Sequence, residues 1–190
     1  MSIKEALVKR RSVYALNKEL PVSEAEVIKT IEETVALVPD AFDSKSQRVV
    51  VALGDKQNEL WDAVYNVFNG QVPKEKTDGF KAAAGTVLYF TDENVTKNLQ
   101  TTYPLYADNF PVWAGHANGM LQFAIWSALA EIGIGANLQH YNPVIDETIN
   151  KVFNVPASYK LVAQMPFGGI AATPVAKETE DISKRVTIVK

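Results

Sequence analysis

The chain has 190 residues, a length that suits one domain, so residues 1–190 are expected to form a single folding unit. Hydrophobic residues make up 47% and the net charge is only −3, which predicts a folded globular protein and argues against nucleic-acid binding through bulk charge. The sequence has no cysteine and two histidines, which removes disulfides, thiolate zinc sites and cysteine nucleophiles. It shows no signal-peptide pattern and no membrane-length apolar run, so a soluble cytoplasmic protein with no membrane partner is expected.

Helices and strands are predicted to alternate along the chain. Capping-box spacing at residues 2–5 and 23–26 predicts two amphipathic helices, which end near Arg10 and before Pro39. Apolar periodicity and turn residues predict, in order, strand 48–53, a helix from Asp55 to Gly70, a weaker helix 74–84, strand 86–90, helix 114–132, helix 142–153, strand 159–165 and a final strand 184–190. This order predicts an α+β fold in which helices flank a mixed central sheet.

Two stretches of the sequence have an unusual composition. Residues 103–113 combine four aromatic residues with two prolines, which favours an ordered loop of the kind that walls a pocket. Residues 114–132 carry no charge before Glu131 and are apolar on every side of a helical wheel. That helix is therefore expected to be buried all round, in the centre of the fold or of a dimer.

Basic residues near both ends of the chain indicate a phosphate site. Two guanidinium groups and a hydroxyl, in Arg10-Arg11-Ser12, are donors that suit a phosphate dianion. A second basic pair, Lys184-Arg185, lies near the other terminus, and termini are often close together in one domain. The alternative is that the first pair complements the dipole of its helix and the second is a solvated pair of surface charges.

Stock catalytic motifs are absent from the sequence. It contains no phosphate-binding P-loop, no nucleophile elbow and no zinc-binding helix motif. Gly133-x-Gly135 lacks the third glycine of a dinucleotide-binding turn and is interpreted as a helix cap. His116 and His140 stand on different elements with no carboxylate pattern beside them, so no metal site is expected.

The order of several motifs resembles the nitroreductase family of flavoproteins, in particular its fatty-acid-repression-mutant-like branch of yeast and bacterial oxidoreductases. The matching motifs are Arg10-Arg-Ser-x-Tyr-x-Leu16, Phe42-x-Ser-x-Ser46, Phe110-Pro-x-Trp113, Gly119-Met-Leu-Gln-x-x-x-Trp126 and Gly133-x-Gly-Ala-x-Leu-Gln-His-Tyr-Asn-Pro143. The resemblance covers nearly the whole chain, and the last motif is specific to the branch.

The resemblance implies a domain-sharing homodimer with C-terminal strand exchange and one FMN at each end of the dimer interface. The residues that it assigns to FMN are Arg10, Arg11, Ser12 and Lys184 or Arg185 at the phosphate, Asn137, Leu138 and Gln139 along the ring near N5, and Asp43 and Lys45 from the other subunit. Family members often have Asn and Gln in place of Asp43 and Lys45, so an ion pair between these two is expected in place of amide hydrogen bonds. Tyr14 stands where many members have a cation, which implies a less oxidising flavin.

The activity implied by the resemblance is a two-stage hydride transfer. NADH or NADPH would pass a hydride to flavin N5 and leave, and a nitroaromatic or quinone acceptor would then take its place. A role in a stress response is part of this hypothesis. The candidates for the substrate-lining surface are Tyr103, Tyr106, Phe110 and Trp113, for which core packing is the alternative. Two other functions stay open at this point: a flavin-binding regulatory or lipid-signalling protein with little turnover, and a colourless partner-binding domain.

Overall fold

The computed structural model describes residues 2–178 and 180–190. In chain order its helices and strands are α1 Ile3–Lys9, β1 Leu16–Asn17, α2 Glu24–Leu37, β2 Gln47–Leu53, α3 Asp55–Phe68, α4 Lys74–Lys81, β3 Gly85–Asp92, α5 Glu93–Thr102, α6 Asn109–Glu131, β4 Gly135–Ala136, α7 Asp146–Phe153 and β5 Tyr159–Ile170. Single 3-10 turns lie at Ala41–Asp43, Pro104–Tyr106 and Ile182–Lys184. Within the described ranges, no helix is both long and apolar enough to cross a membrane.

The predicted α+β class is confirmed, with one correction to the sheet. Its strands are ordered β1–β5–β3–β2, and β4 pairs with β5. The pairings between named strands in the described residues are all antiparallel, whereas a mixed sheet was predicted. The parallel contact is limited to a bridge between Ser12 and Ala136, because the segment after α1 runs beside β4 for only one paired residue.

Helices cover both faces of the sheet, so β3 is buried on both sides. Val87 and Tyr89 face the layer formed by α2 and α6, whereas Leu88 and Phe90 face the layer formed by α3, α4 and α7. The strand predicted at residues 48–53 was expected to have the same burial, but β2 lies at an edge of the sheet and is mostly half-buried. The edge position leaves β2 less covered than β3.

Helix α6 starts earlier than predicted and has an exposed face. The prediction of a loop through residue 113 was wrong, because α6 begins at Asn109 and therefore carries Phe110 and Trp113. Pro111 lies in the first turn, where a missing N–H costs no helical hydrogen bond. The prediction that this helix is buried on every side was also wrong for the single chain, because Met120 is 45% and Phe123 is 43% exposed.

The predicted final strand at residues 184–190 is absent from the described structure. Lys184 ends a 3-10 turn, and the residues after it are exposed and form no strand pairing among residues 180–190. Val186 and Ile188 are both exposed, although the alternation of apolar residues is typical of a strand. A strand needs the edge of another strand to pair with, and in the described chain the tail pairs with none.

Candidate functional site

Two of the segments that the family resemblance assigns to FMN lie side by side. The backbone N–H of Val13 donates to the carbonyl of Ala136 at 2.9 Å. The side-chain amide of Asn137 donates to the carbonyl of Val13 at 2.8 Å. Residues 10–12, the candidate phosphate ligands, are therefore fixed next to residues 137–139, the candidate ring-binding segment, although the two are more than 120 positions apart in the sequence.

The backbone of the ring-binding segment has one edge bonded to the sheet and one edge open. Gln139 exchanges two backbone hydrogen bonds with Gln164 of β5, at 2.7 and 2.9 Å. Because peptide groups alternate in direction along an extended strand, the N–H and C=O groups of Leu138 and His140 point away from β5. In the described chain neither N–H has a backbone acceptor. These groups can therefore hydrogen-bond the polar edge of a planar ligand.

The side chains of the same segment support the backbone. Asn137 is fully buried and Gln139 nearly so, and the Gln139 amide donates to the Asn137 side-chain oxygen at 2.7 Å. Sequence reasoning treated residues 137–139 alike. In the structure their roles differ. The side chains of Asn137 and Gln139 stabilise the segment, whereas Leu138 offers outward backbone groups. His140 offers outward backbone groups as well, and the sequence analysis did not identify it.

Arg10 is a half-buried cation whose Nε has no partner in the described structure. Its guanidinium carbon lies 4.3 Å from the centre of the Trp126 ring and 5.9 Å from that of Phe123. Trp126 also donates through its indole N–H to the carbonyl of Ala136 at 3.2 Å. Burial, and then the charge of Arg11, lower the pKa of Arg10, and its Nε is buried without a hydrogen-bond acceptor among the described residues. A desolvated cation beside a second cation favours a bound anion, so this place fits a phosphate.

The C-terminal segment passes Arg11 but does not bring the second basic pair to it. Arg11 donates to the carbonyl of Val175 at 2.7 Å. Further along, Arg185 forms an ion pair with Glu180 at 2.7 Å, and Lys184 is exposed. In the described parts of the chain, the side-chain interactions of Lys184 and Arg185 do not include residues 10–12. In one subunit, therefore, the two predicted halves of the phosphate site remain separate.

Asp43 and Lys45 form the expected ion pair on an exposed loop. Lys45 Nζ lies 3.0 Å from Asp43 Oδ2, and both side chains are mostly exposed. Arg48 holds the loop through the carbonyl of Lys45 and also bonds Asp92 at 3.0 Å, which fixes the loop to the end of β3. Within the described ranges the pair forms no hydrogen bond or ion pair with residues 137–139. This separation agrees with the expectation that another subunit supplies these two residues.

The four candidate lining aromatics form one cluster, and its central ring is Phe42. The Phe42 ring contacts all four, at centroid distances of 5.1 Å to Tyr103, 5.9 Å to Tyr106, 5.2 Å to Phe110 and 5.8 Å to Trp113. Its φ of 61° turns the backbone so that this loop meets the start of α6. Phe110 is 3% exposed, whereas Phe42 and the two tyrosines are each more than two-fifths exposed. The cluster thus has a packed base and an aromatic surface.

Sequence reasoning quoted Phe42 in a family motif but gave it no role. The pattern Phe42-x-Ser-x-Ser46 draws attention to Phe42, but it does not reveal that the ring contacts residues 103–113. That contact depends on how the loop with Phe42 folds against a distant part of the chain. Trp126 was likewise quoted only as a match, although it contacts both Arg10 and Ala136. Together these features provide an anion site, an open backbone edge and an aromatic surface, which are the parts needed to hold a phosphorylated planar cofactor and a flat substrate.

Known proteins match this chain over nearly its whole length. The nitroreductase family model matches residues 7–169. Nitroreductase FRM2 of Saccharomyces cerevisiae is 35% identical over 175 residues, which are 90% of each chain. Among solved structures, nitroreductase CinD from Lactococcus lactis in complex with chloramphenicol has a TM-score of 0.95 and 45% identity with full coverage of both chains. A nitroreductase from S. cerevisiae has a TM-score of 0.79 and 34% identity, with coverage of 87% of this chain and 94% of the other. The chain therefore belongs to the nitroreductase family of flavin-dependent oxidoreductases.

Proposed function

We propose that this protein is an FMN-dependent NAD(P)H oxidoreductase that reduces nitroaromatic compounds and quinones. The observation that carries the proposal is the pairing of residues 10–12 with residues 137–139. This pairing brings the segment with the unpartnered Nε of Arg10 beside the open backbone edge at Leu138, which supports an anion site next to a ring site. The resident cofactor of such a site needs both a phosphate and a planar ring with polar edge atoms, and FMN has both.

The chain would bind the phosphate of FMN through charged side chains and the ring of FMN through backbone groups. Arg10, Arg11 and Ser12 would bind the phosphate, with charge-assisted hydrogen bonds from the two guanidinium groups. The outward backbone groups of Leu138 and His140 would bond the edge of the ring and fix its plane. When bound, FMN supplies the hydride acceptor and donor atom N5, and the protein supplies position and electrostatics.

The substrate class follows from shape and from related complexes. Structures of CinD contain chloramphenicol, 4-nitrophenol and nicotinic acid, which are all small aromatic molecules. The aromatic cluster around Phe42 offers this chain a surface on which similar flat molecules can stack. A nicotinamide ring and an aromatic acceptor have the same flat shape, so we infer that they occupy one place in turn, as a ping-pong reaction requires.

Two subunits are needed to complete the proposed site. Among the described residues, the aromatic cluster and the Asp43–Lys45 pair share no hydrogen bond, ion pair or ring contact with residues 137–139. The exposed face of α6 carries Val112, Met120 and Phe123, and α1 exposes Ile3 and Val8. Exposed apolar area of this kind on neighbouring helices suits burial against a second copy. We therefore propose a homodimer, in which the tail at residues 184–190 pairs with the edge of a partner strand.

The proposed function is tested by anaerobic titration of the purified protein while the flavin absorbance near 450 nm is followed. We expect NADH or NADPH to bleach the flavin, and a nitroaromatic and a quinone each to restore the colour after excess nucleotide is removed. Initial rates measured against both substrates should give parallel double-reciprocal lines. A yellow protein that neither nucleotide bleaches would contradict the reductase and favour a regulatory role. A colourless protein that binds no added FMN would contradict both.

Replacement of Phe42 by alanine is expected to weaken acceptor binding. The change removes the ring that contacts all four other members of the cluster, and each aromatic pair contributes about 0.5–1.5 kcal/mol. We expect KM for a nitroaromatic to rise roughly tenfold, while the rate of flavin bleaching by the nucleotide changes less. Leu105→Ala is the matched control, because Leu105 is 84% exposed in the turn Pro104–Tyr106, whose two tyrosine neighbours contact Phe42. An unchanged KM in Phe42→Ala, with the control also unchanged, would remove the cluster from the substrate surface.

A further inference from the structure

A second cleft lies on the α6 side of the sheet, away from the residues assigned to FMN. Its volume is about 350 Å³, and it is bounded by α5, the first half of α6 and the beginning of β5. Thr96 and Lys97 line one wall, Pro111 and Ala114 the other, and Lys160 and Leu161 the floor. No member of residues 10–12 or 137–139 lines this cleft.

The hydroxyl of Thr96 is buried without a partner. Thr96 is 8% exposed, and its Oγ1 has no hydrogen-bond partner in the described structure. Other helical threonines bond back to a carbonyl one turn earlier; these are Thr30, Thr34, Thr101 and Thr102. Thr101 and Thr102 lie on the same helix as Thr96, so the helix itself does not prevent the bond. An unpaired buried hydroxyl is costly, which indicates a group that a ligand satisfies.

Of the two lysines that line the cleft, one is not held in an ion pair in the described structure and can bind an anion. Lys97 forms an ion pair with Glu93 at 3.1 Å, and Glu93 is the acidic residue among the described residues that line the cleft. Lys160 has no ion pair or side-chain hydrogen bond in residues 2–178 and 180–190. Asp146 does not line the cleft, but it is close enough to Lys160 for the two charges to interact. Burial raises the pKa of Asp146, and the charge of Lys160 opposes that rise. Lys160 thus supplies a cation to the same cleft that Thr96 lines with its unpaired hydroxyl.

We propose that this cleft binds a small monocarboxylate with an apolar body. The carboxylate accepts hydrogen bonds from the buried Thr96 hydroxyl and from the exposed Lys160 ammonium, and the charge of the ammonium strengthens the second of these bonds. The body contacts Pro111, Ala114 and Val162, which are apolar residues of the lining. A volume near 350 Å³ lies at the small end of ligand pockets, so the acid is of the size of benzoate.

Benzoate is the probe, titrated into the full-length flavin-loaded protein by isothermal calorimetry up to roughly 10 mM, the range of weak binding. We expect saturable binding that is roughly tenfold weaker in Thr96→Val and in Lys160→Gln, and weaker for the neutral isostere benzamide. Thr101→Val is the matched control, because Thr101 is on the same helix but exposed and bonded to its own backbone. It should bind benzoate as the unaltered protein does.

Several outcomes would overturn the proposal. They are the absence of saturable binding, equal affinity in Thr96→Val or Lys160→Gln, equal affinity for benzamide, and stoichiometric displacement of benzoate by 4-nitrophenol, which would place benzoate at the flavin. Melting temperatures separate binding from folding: Thr96→Val should melt no lower than the unaltered protein, because valine removes an unpaired polar group. A lower melting temperature would show that the hydroxyl is already satisfied, and would also overturn the proposal.

Discussion

Replacing Arg10 with alanine is expected to strip FMN from the protein. The change removes a cation whose Nε is buried and unpartnered, and charge-assisted hydrogen bonds contribute about 1.5–3 kcal/mol each. It also removes the guanidinium that stacks on Trp126, which supports the segment at Ala136. We expect the dissociation constant for FMN to rise roughly 10- to 100-fold, and more if both effects add.

Fluorescence quenching of free FMN by the flavin-depleted protein measures this constant directly. Arg10→Met separates the two effects, since methionine keeps an apolar contact with Trp126 but has no charge. Lys9→Ala is the matched control for a lost cation: Lys9 is the preceding residue, is exposed, and bonds the carbonyl of Glu131 at 3.0 Å. FMN affinity that is equal in Arg10→Ala and in the unaltered protein would show that Arg10 does not bind the phosphate.

Replacing Met120 with glutamate is expected to split the proposed homodimer into monomers. Met120 lies on the exposed apolar face of α6, and a carboxylate placed in an apolar interface loses its hydration without gaining a partner. We expect the dimer dissociation constant to rise at least about 100-fold. Because the Asp43–Lys45 loop reaches a ring site only through a second subunit in our proposal, the monomer should also lose most of its FMN.

Size-exclusion chromatography with light scattering gives the mass of each species. Leu37→Glu provides the matched control, because Leu37 is 81% exposed on α2 and gains the same charge outside the proposed interface. Circular dichroism checks that the Met120→Glu monomer is folded. A dimer of unchanged affinity in Met120→Glu would place the subunit interface on another surface, whereas a monomeric unaltered protein would refute the homodimer itself.

Features that depend on neighbouring residues could be predicted from the sequence. The capping serines Ser2 and Ser23 both accept hydrogen bonds from the residue three positions later, as their spacing predicts. The strands around Val87 and Met165 were also found where apolar β-branched or bulky residues cluster. In these cases the local preference and the global fold require the same structure, so local rules suffice.

Features that depend on distant contacts could not be predicted without the fold. Helix α6 begins at Asn109, and its first turn packs against the Phe42 ring through Phe110. The sequence of residues 109–113 alone does not indicate this contact. The tail with Val186 and Ile188 has the alternation of a strand, but alternation does not provide a pairing edge. Different peptide directions at Leu138 and Gln139 follow from their register with β5, which only the three-dimensional pairing fixes.

Trp126 joins three parts of the proposed enzyme through one indole ring. It belongs to the long helix whose exposed face would meet the second subunit, it stacks under Arg10, and it hydrogen-bonds Ala136. In the proposed dimer, a shift of that ring would alter the proposed phosphate site and the proposed subunit contact together. Thermodynamic reciprocity then requires that whatever factor FMN adds to subunit affinity, association adds to FMN affinity. The proposals therefore predict that cofactor content depends on protein concentration, with dilution favouring an apo monomer and high concentration a holo dimer.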